Sequence, residues 1–210
     1  MKLPALRTRE PLPAPPRQAR SVEKRKQLMN AARDLFAEKG YDGASVGEIT
    51  ARAGAAAGAF YIYFPSKRQM LVELMKELLA RLSAVDLRPS AGGRVALRNF
   101  LTRVLRTDLA NYGVIRAWQE ATLSDPELAV MRVAIERWTA ARILRVFQTL
   151  RKRRRSRADV DVPAFARMMD RHFWSLLARG ARLPRRAFNR EVRMSVDVIY
   201  HYLLQDGPHR

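Results

Sequence analysis

The chain has 210 residues, 48% of them hydrophobic, enough for one sizeable core or for a small head domain and a larger body. It contains no cysteine, which excludes disulfides, thiolate zinc sites and cysteine nucleophiles together and suits a reducing compartment. The net charge of +20 favours polyanions such as nucleic acid, because Lys and Arg that neutralise phosphates release counterions.

Charge alone does not locate a footprint. Arginines outnumber lysines 33 to 7, a ratio that a GC-biased genome produces unaided, and the charge is spread along the chain. Residues 1–68 carry 13 basic and 6 acidic groups, and residues 69–210 carry 27 and 14.

Residues 1–20 hold five prolines and five Lys or Arg but no apolar segment, and are expected to form a flexible basic arm. No later stretch is apolar for the length of a membrane span, so the expectation is a soluble cytoplasmic protein without a membrane partner. Leu28, Ala32, Leu35 and Phe36 repeat at helical spacing, predicting a first helix over 22–39 that stops at Gly40. Tyr41, Asp42 and Gly43 make a turn.

Ser45 followed by Glu48 is a capping-box pattern that opens a short second helix with Val46, Ile49 and Ala53 inward. Glu48 and Arg52 stand in the favourable i,i+4 order outside, and Gly54 ends the helix. Residues 56–63 predict another short helix, with Phe60 and Phe64 as its buried pair and Pro65 as its stop. Two short helices around a glycine turn make a helix-turn-helix.

Ser66 with Gln69 is a second capping box, opening a long helix with Leu71, Met75, Leu78 and Leu82 on one face. Pro89 to Gly93 breaks it. Amphipathic stretches follow near 94–111 and 114–122, then a long helix from Pro126 capped by Asp125, with Leu128, Met131, Ile135 and Trp138 inward. The run Arg151 to Arg157 is expected as a loop. Two last helices span about 162–179 and 187–204. No strand signal and no internal repeat are present.

From Leu28 to Leu71 the chain resembles the N-terminal domain of the TetR (tetracycline-repressor) family of transcription regulators. The matching residues are Ala31-Ala32, Leu35-Phe36-Ala37-Glu38-Lys39-Gly40-Tyr41, Ser45-Val46, Glu48-Ile49, Ala53-Gly54, Gly58, Tyr61, Tyr63-Phe64 and Ser66-Lys67. The resemblance implies an all-α fold. A three-helix DNA-binding head (21–67), behind the arm, precedes a larger helical ligand-binding and dimerisation domain (68–210). It also implies a homodimer on double-stranded palindromic DNA, released by an unidentified small-molecule inducer. The two heads must stand about 34–36 Å apart, or a multiple of that, to enter successive major grooves.

Carried over by position, Tyr61, Tyr63 and Lys67 are expected to contact phosphates. Ala55, Ala56, Ala57 and Ala59 are expected near base edges, with Gly58 allowing close approach. Where the family usually has Thr or Ser, this chain has Ala44, Ala56 and Ala59, which shifts weight to Ser45, Arg52, thymine methyls and DNA shape. Ala56 stands where the family commonly caps its recognition helix with serine. Arg17 and Arg20 of the arm are candidates for a minor groove.

In the body, Tyr112, Trp118, Trp138 and Trp174 are candidates to line a ligand cavity or simply to fill core. Phe165, Met169, Phe173 and Leu176 on one helix, and Val192, Val196, Ile199 and Leu203 on the last, recur at helical spacing and are expected at the dimer interface. His172, His201 and His209 lack metal-ligand spacing, and no phosphate loop, nucleophile elbow or carboxylate pair stands out, so no enzyme activity, metal or cofactor is expected. Two rivals stand beside the ligand-responsive repressor: a sequence-tolerant DNA-binding protein driven by charge, and a helical enzyme on a borrowed head.

Overall fold

A computed structural model describes residues 2–56, 58–85, 93–109, 111–152, 156–180 and 182–204. The described residues are helical almost throughout: α1 (Ala19–Gly43), α2 (Val46–Arg52), α3 (Ala59–Tyr63), α4 (Lys67–Ala84), α5 (Gly93–Leu109), α6 (Tyr112–Ser124), α7 (Pro126–Lys152), α8 (Val162–Gly180) and α9 (Arg185–Leu203). This is the expected all-α class. An isolated antiparallel bridge between Ser156 and Leu204 is its one β feature among the described residues. Ala57, His209, residues 89–92 of the Pro89–Gly93 break and residues 153–155 of the arginine run lie outside them.

Two compact units form. The first comprises Met1–Ser83 and Asn111–Val133; the second comprises Ala84–Ala110 and Ala134–Arg210. Packing therefore draws the line elsewhere than at 67/68. In the first unit α6 lies directly on α1: a Cβ on Gly113 would stand 2.7 Å from the amide nitrogen of Ala37 and would collide with the carbonyl of Arg33. No residue but glycine fits that crossing without moving a helix.

The same helix closes the end of α1. Gly40 takes φ +77°, so the helix proper stops there as expected. Arg116 Nη1 donates to the carbonyls of Ala37 (3.0 Å) and Glu38 (3.3 Å), and the Tyr41 amide donates to Glu120 (2.6 Å). Arg116 and Glu120 in turn bond each other at 2.9 Å. Backbone groups orphaned by the helix end thus find partners on α6.

The arm departs from expectation. Leu6 is 2% exposed, Glu10 bonds Arg68 at 2.6 Å and accepts from the Ser66 hydroxyl, and the Thr8 hydroxyl reaches the Gln69 side chain. Ser66 caps α4 as predicted, its hydroxyl taking the Gln69 amide at 3.1 Å. The Gln69 side chain turns to Thr8, where the capping box expected it to turn back on Ser66.

In the second unit Phe165 of α8 stacks between Phe147 of α7 (centroids 5.2 Å) and Tyr202 of α9 (4.1 Å). Phe165, Met169, Leu176, Val192, Val196, Ile199 and Leu203 are all buried by their own chain, and Phe173 is half-buried. The face expected at the dimer interface is therefore this unit's own core. The apolar stripe of an amphipathic helix marks the side it buries, which the chain itself already covers. The exposed apolar residues of the same two helices are Met168, Met194 and Val198.

Candidate nucleic-acid interface

The head is built from caps and cross-helix ion pairs. The Ser45 hydroxyl accepts the Glu48 amide (3.2 Å) while the Glu48 carboxylate accepts the Ser45 amide (2.9 Å), the full capping box. Glu48 also pairs with Lys39, and this bond, with those from Ser45, holds its carboxyl down to about 2. The expected Glu48–Arg52 pair is thereby displaced: Arg52 instead forks onto Glu38 of α1 through 2.6 and 2.8 Å bonds. Two carboxylates with partners on a neighbouring helix outcompete a pairing along one helix.

Gly54, at φ +57°, makes the turn after α2, and Lys24 of α1 donates to its carbonyl at 3.2 Å. Phe60 and Phe64 are buried as expected, with ring centroids 5.7 Å apart. The third helix starts later than predicted. Its N-cap is Gly58, and Ala56 uses its carbonyl to accept the Ala59 amide at 2.9 Å, so Ala56 is not the cap.

The turn and short helix leave a particular outer surface. Tyr61 and Ile62 are 58% and 66% exposed, Ser45, Arg52, Ala56 and Gly58 are exposed, and Ala55, Ala59 and Tyr63 are half-buried. Ile62 was missed by the sequence reading, although the i+2 offset from buried Phe60 places it outward on a helix. Ala44, by contrast, is fully buried.

Lys67 is a staple. Its Nζ donates to the carbonyls of Tyr41 (2.6 Å) and Ala44 (2.8 Å) and lies 4.4 Å from the Tyr41 ring centroid. Desolvation lowers its pKa, so the site works against the charge that the two carbonyls hold in place. One N–H remains beyond those two bonds.

The aromatic ligand candidates divide between the units: Tyr112 and Trp118 lie on α6 in the first, Trp138 and Trp174 in the second. Trp118 and Trp138 are buried with indole Nε1 atoms that meet no acceptor among the described residues. Trp174 is half-buried and bonds Asp170, whose carboxyl burial pushes up to about 6. His172 bonds the Ser195 hydroxyl (2.8 Å) and His201 the Asp197 carbonyl (2.9 Å). Among the described residues no three His, Asp or Glu side chains group to hold a metal, and no helix is long and apolar enough to cross a membrane.

The first unit thus carries a capped helix-turn-helix whose third helix turns Tyr61 and Ile62 outward. Residues 28–74 match the family described as bacterial regulatory proteins, tetR family. Over 53 residues it is 47% identical to YuxN of Bacillus subtilis, an uncharacterised HTH-type transcriptional regulator, covering 25% of this chain and 18% of that protein. The chain spans 18 to 32% of the length of the first three curated relatives it matches.

Likeness of fold extends much further than likeness of sequence. A transcriptional regulator from Rhodococcus sp. Rha1 superposes with a TM-score of 0.67 at 22% identity, over 87% of this chain and 99% of that one. SmeT, in its complex with triclosan, gives a TM-score of 0.63 at 21% identity, over 88% and 93%.

Proposed function

We propose that the chain is a ligand-responsive transcriptional repressor that binds palindromic duplex DNA as a homodimer. The observation that carries this reading is the outer face of α3, where Tyr61 and Ile62 stand exposed on a helix anchored by fully buried Phe60 and Phe64. A rigid inner pair and an uncovered outer pair suit a helix whose partner is the major groove. Tyr61, Tyr63 and Lys67 are proposed to position the head on phosphates. Ser45, Arg52 and the stretch Ala55–Ala59 are proposed to lie along the duplex, with Ala56, Ala59 and Ile62 reading thymine methyls where hydroxyl donors are absent.

The dimer reading moves to the outer faces of α8 and α9, with Met168, Met194 and Val198 as its apolar contacts, since the stripe first assigned to it is core. The inducer reading draws on SmeT, which binds triclosan in its complex, and on Tyr112, Trp118, Trp138 and Trp174 as candidate ligand contacts. Selection from random duplexes followed by titration tests the whole: an enriched palindrome bound at least about a thousandfold tighter than random DNA is expected. A ratio near one would assign the chain to the sequence-tolerant binders driven by charge.

A further inference from the structure

A cavity of about 840 Å³ in the first unit has the size of a small-molecule site and meets the residues proposed for DNA at Tyr63 alone. Leu12 to Pro16 of the arm roof it, and its walls come from α1, α4 and Tyr63 at the end of α3. Four cations, Arg25, Lys26, Arg33 and Arg81, face two carboxylates, Glu73 and Glu77.

Both carboxylates are already shared. Glu73 lies between Arg25 (3.3 Å) and Lys76 (2.7 Å), and Glu77 between Arg33 and Arg81 (3.6 Å). Lys26 is exposed and joins no ion pair among the described residues. Arg33 spends Nη1 on Asn30 (2.5 Å) and Nη2 on Glu77, while its Nε is buried without an acceptor. The orphaned guanidinium donor is costly unless an acceptor arrives, and the surplus of positive charge around it draws an anion. Beside them lies apolar surface: Val22 is 48% exposed although it lines the wall, and the roof is mostly proline.

We infer that this cavity binds a small amphipathic organic anion, with its carboxylate or sulfonate against Lys26 and Arg33 and its apolar body against Val22 and the proline roof. The site is distinct from the aromatic positions proposed for an inducer. It takes acids with a compact hydrophobic body and rejects amines of the same shape.

The probe is 8-anilinonaphthalene-1-sulfonate, titrated by fluorescence into the full chain without DNA, so that the outcome is independent of operator binding. Saturable binding near one probe per chain is expected, displaced by benzoate and not by benzylammonium, its ring analogue of opposite charge. Lys26→Glu and Val22→Asp, both at exposed positions, should each raise the probe Kd by about tenfold. Arg186→Glu, the same charge change in the second unit, should leave it within about twofold. Melting curves check that the variants fold. Equal displacement by the amine, or a Kd less than about fivefold altered in either cavity variant, overturns the assignment and marks the probe as lying elsewhere.

Discussion

Arg68, in the first turn of α4, holds Glu10 of the arm at 2.6 Å, and the same guanidinium reaches Asp125 at 3.3 Å and Glu127 at 3.5 Å. One cation thus gathers the arm and the start of α7 onto the first unit. Hydrogen bonds to Glu10 and Asp125 raise its pKa in spite of burial, so it stays charged at any working pH. Both partners of the Glu10 bond are partly exposed, and Glu10→Gln should cost no more than about 1 kcal/mol of stability. Tryptic cleavage after Arg7 and Arg9 should nonetheless quicken in that variant, because the arm's order rests on this bond, Thr8 and Leu6. Unchanged cleavage would mean that Leu6 burial alone holds the arm.

Lys67→Met should act on two measurements at once. Losing two charge-assisted bonds to the Tyr41 and Ala44 carbonyls should destabilise the head by about 1.5–3 kcal/mol. If the remaining N–H meets a phosphate, the slope of log affinity against log salt should also fall by about 1. A lowered melting point with an unchanged slope would leave Lys67 as a staple and nothing more.

The exposed Ile62 makes a prediction about the operator. Replacing thymine by uracil, one site at a time, removes a single methyl and keeps every base-edge hydrogen bond. At one operator position this change should weaken the parent protein by roughly 1 kcal/mol and Ile62→Ala hardly at all, the signature of a direct coupling. Equal losses in both proteins at every position would exclude Ile62 from readout.

For the dimer, two variants of neighbouring positions should part company. Val196→Asp buries an unpaired charge in the second unit and should unfold it or lower its melting point severely, by several kcal/mol. Met194→Glu with Val198→Glu, at positions 57% and 48% exposed, should leave the fold intact and yield monomers in sedimentation. Persistence of the dimer in the double variant would move the interface off these helices.

Asp170 carries a pH dependence of unusual sign. It is 3% exposed, and desolvation, opposed by bonds from Thr139 and Trp174 and reinforced by Glu136, lifts its carboxyl from 3.8 to about 6. Between those values the folded chain binds the proton more tightly than the unfolded one, so this group's contribution falls as pH rises from about 4 to 6 and stays low above. Asp170→Asn should therefore raise the melting temperature at pH 7.5 relative to the parent, by at most about 3 kcal/mol of stability, and much less at pH 4. Parallel melting curves at both pH values would show that the carboxyl is solvated in solution.

Much of this architecture was legible because helix punctuation is local. Ser45, Gly40, Gly54, Ser66 and Asp125 each act through a bond or a backbone angle within four residues, and all are found where the spacing put them. What misled was competition at a distance. Glu48 and Arg52 are well spaced to pair, yet Lys39 and Glu38 of α1 win them, and no pattern within α2 announces those partners. The late start of α3 has a similar origin: alanines from 55 to 57 carry no cap chemistry to mark a boundary. The arm looked disordered because prolines suppress helix, but a single Leu6 and a few polar anchors suffice to dock an extended segment. Periodicity on α8 and α9 marks a buried face, but spacing tells which residues are buried and not by what, and here the chain itself covers them.

The seat of α6 on α1 bears on anyone who would exchange reading heads between regulators. Gly113 admits no side chain against Arg33 and Ala37, and Arg116 and Glu120 close the end of α1. A chimera joined just after α4 would strip away that cover, leaving α1 with a bare groove and carbonyls that have lost their donors. Faithful transplantation has to carry two separated stretches of polypeptide, the first 83 residues and the segment from 111 to 133, as a single graft.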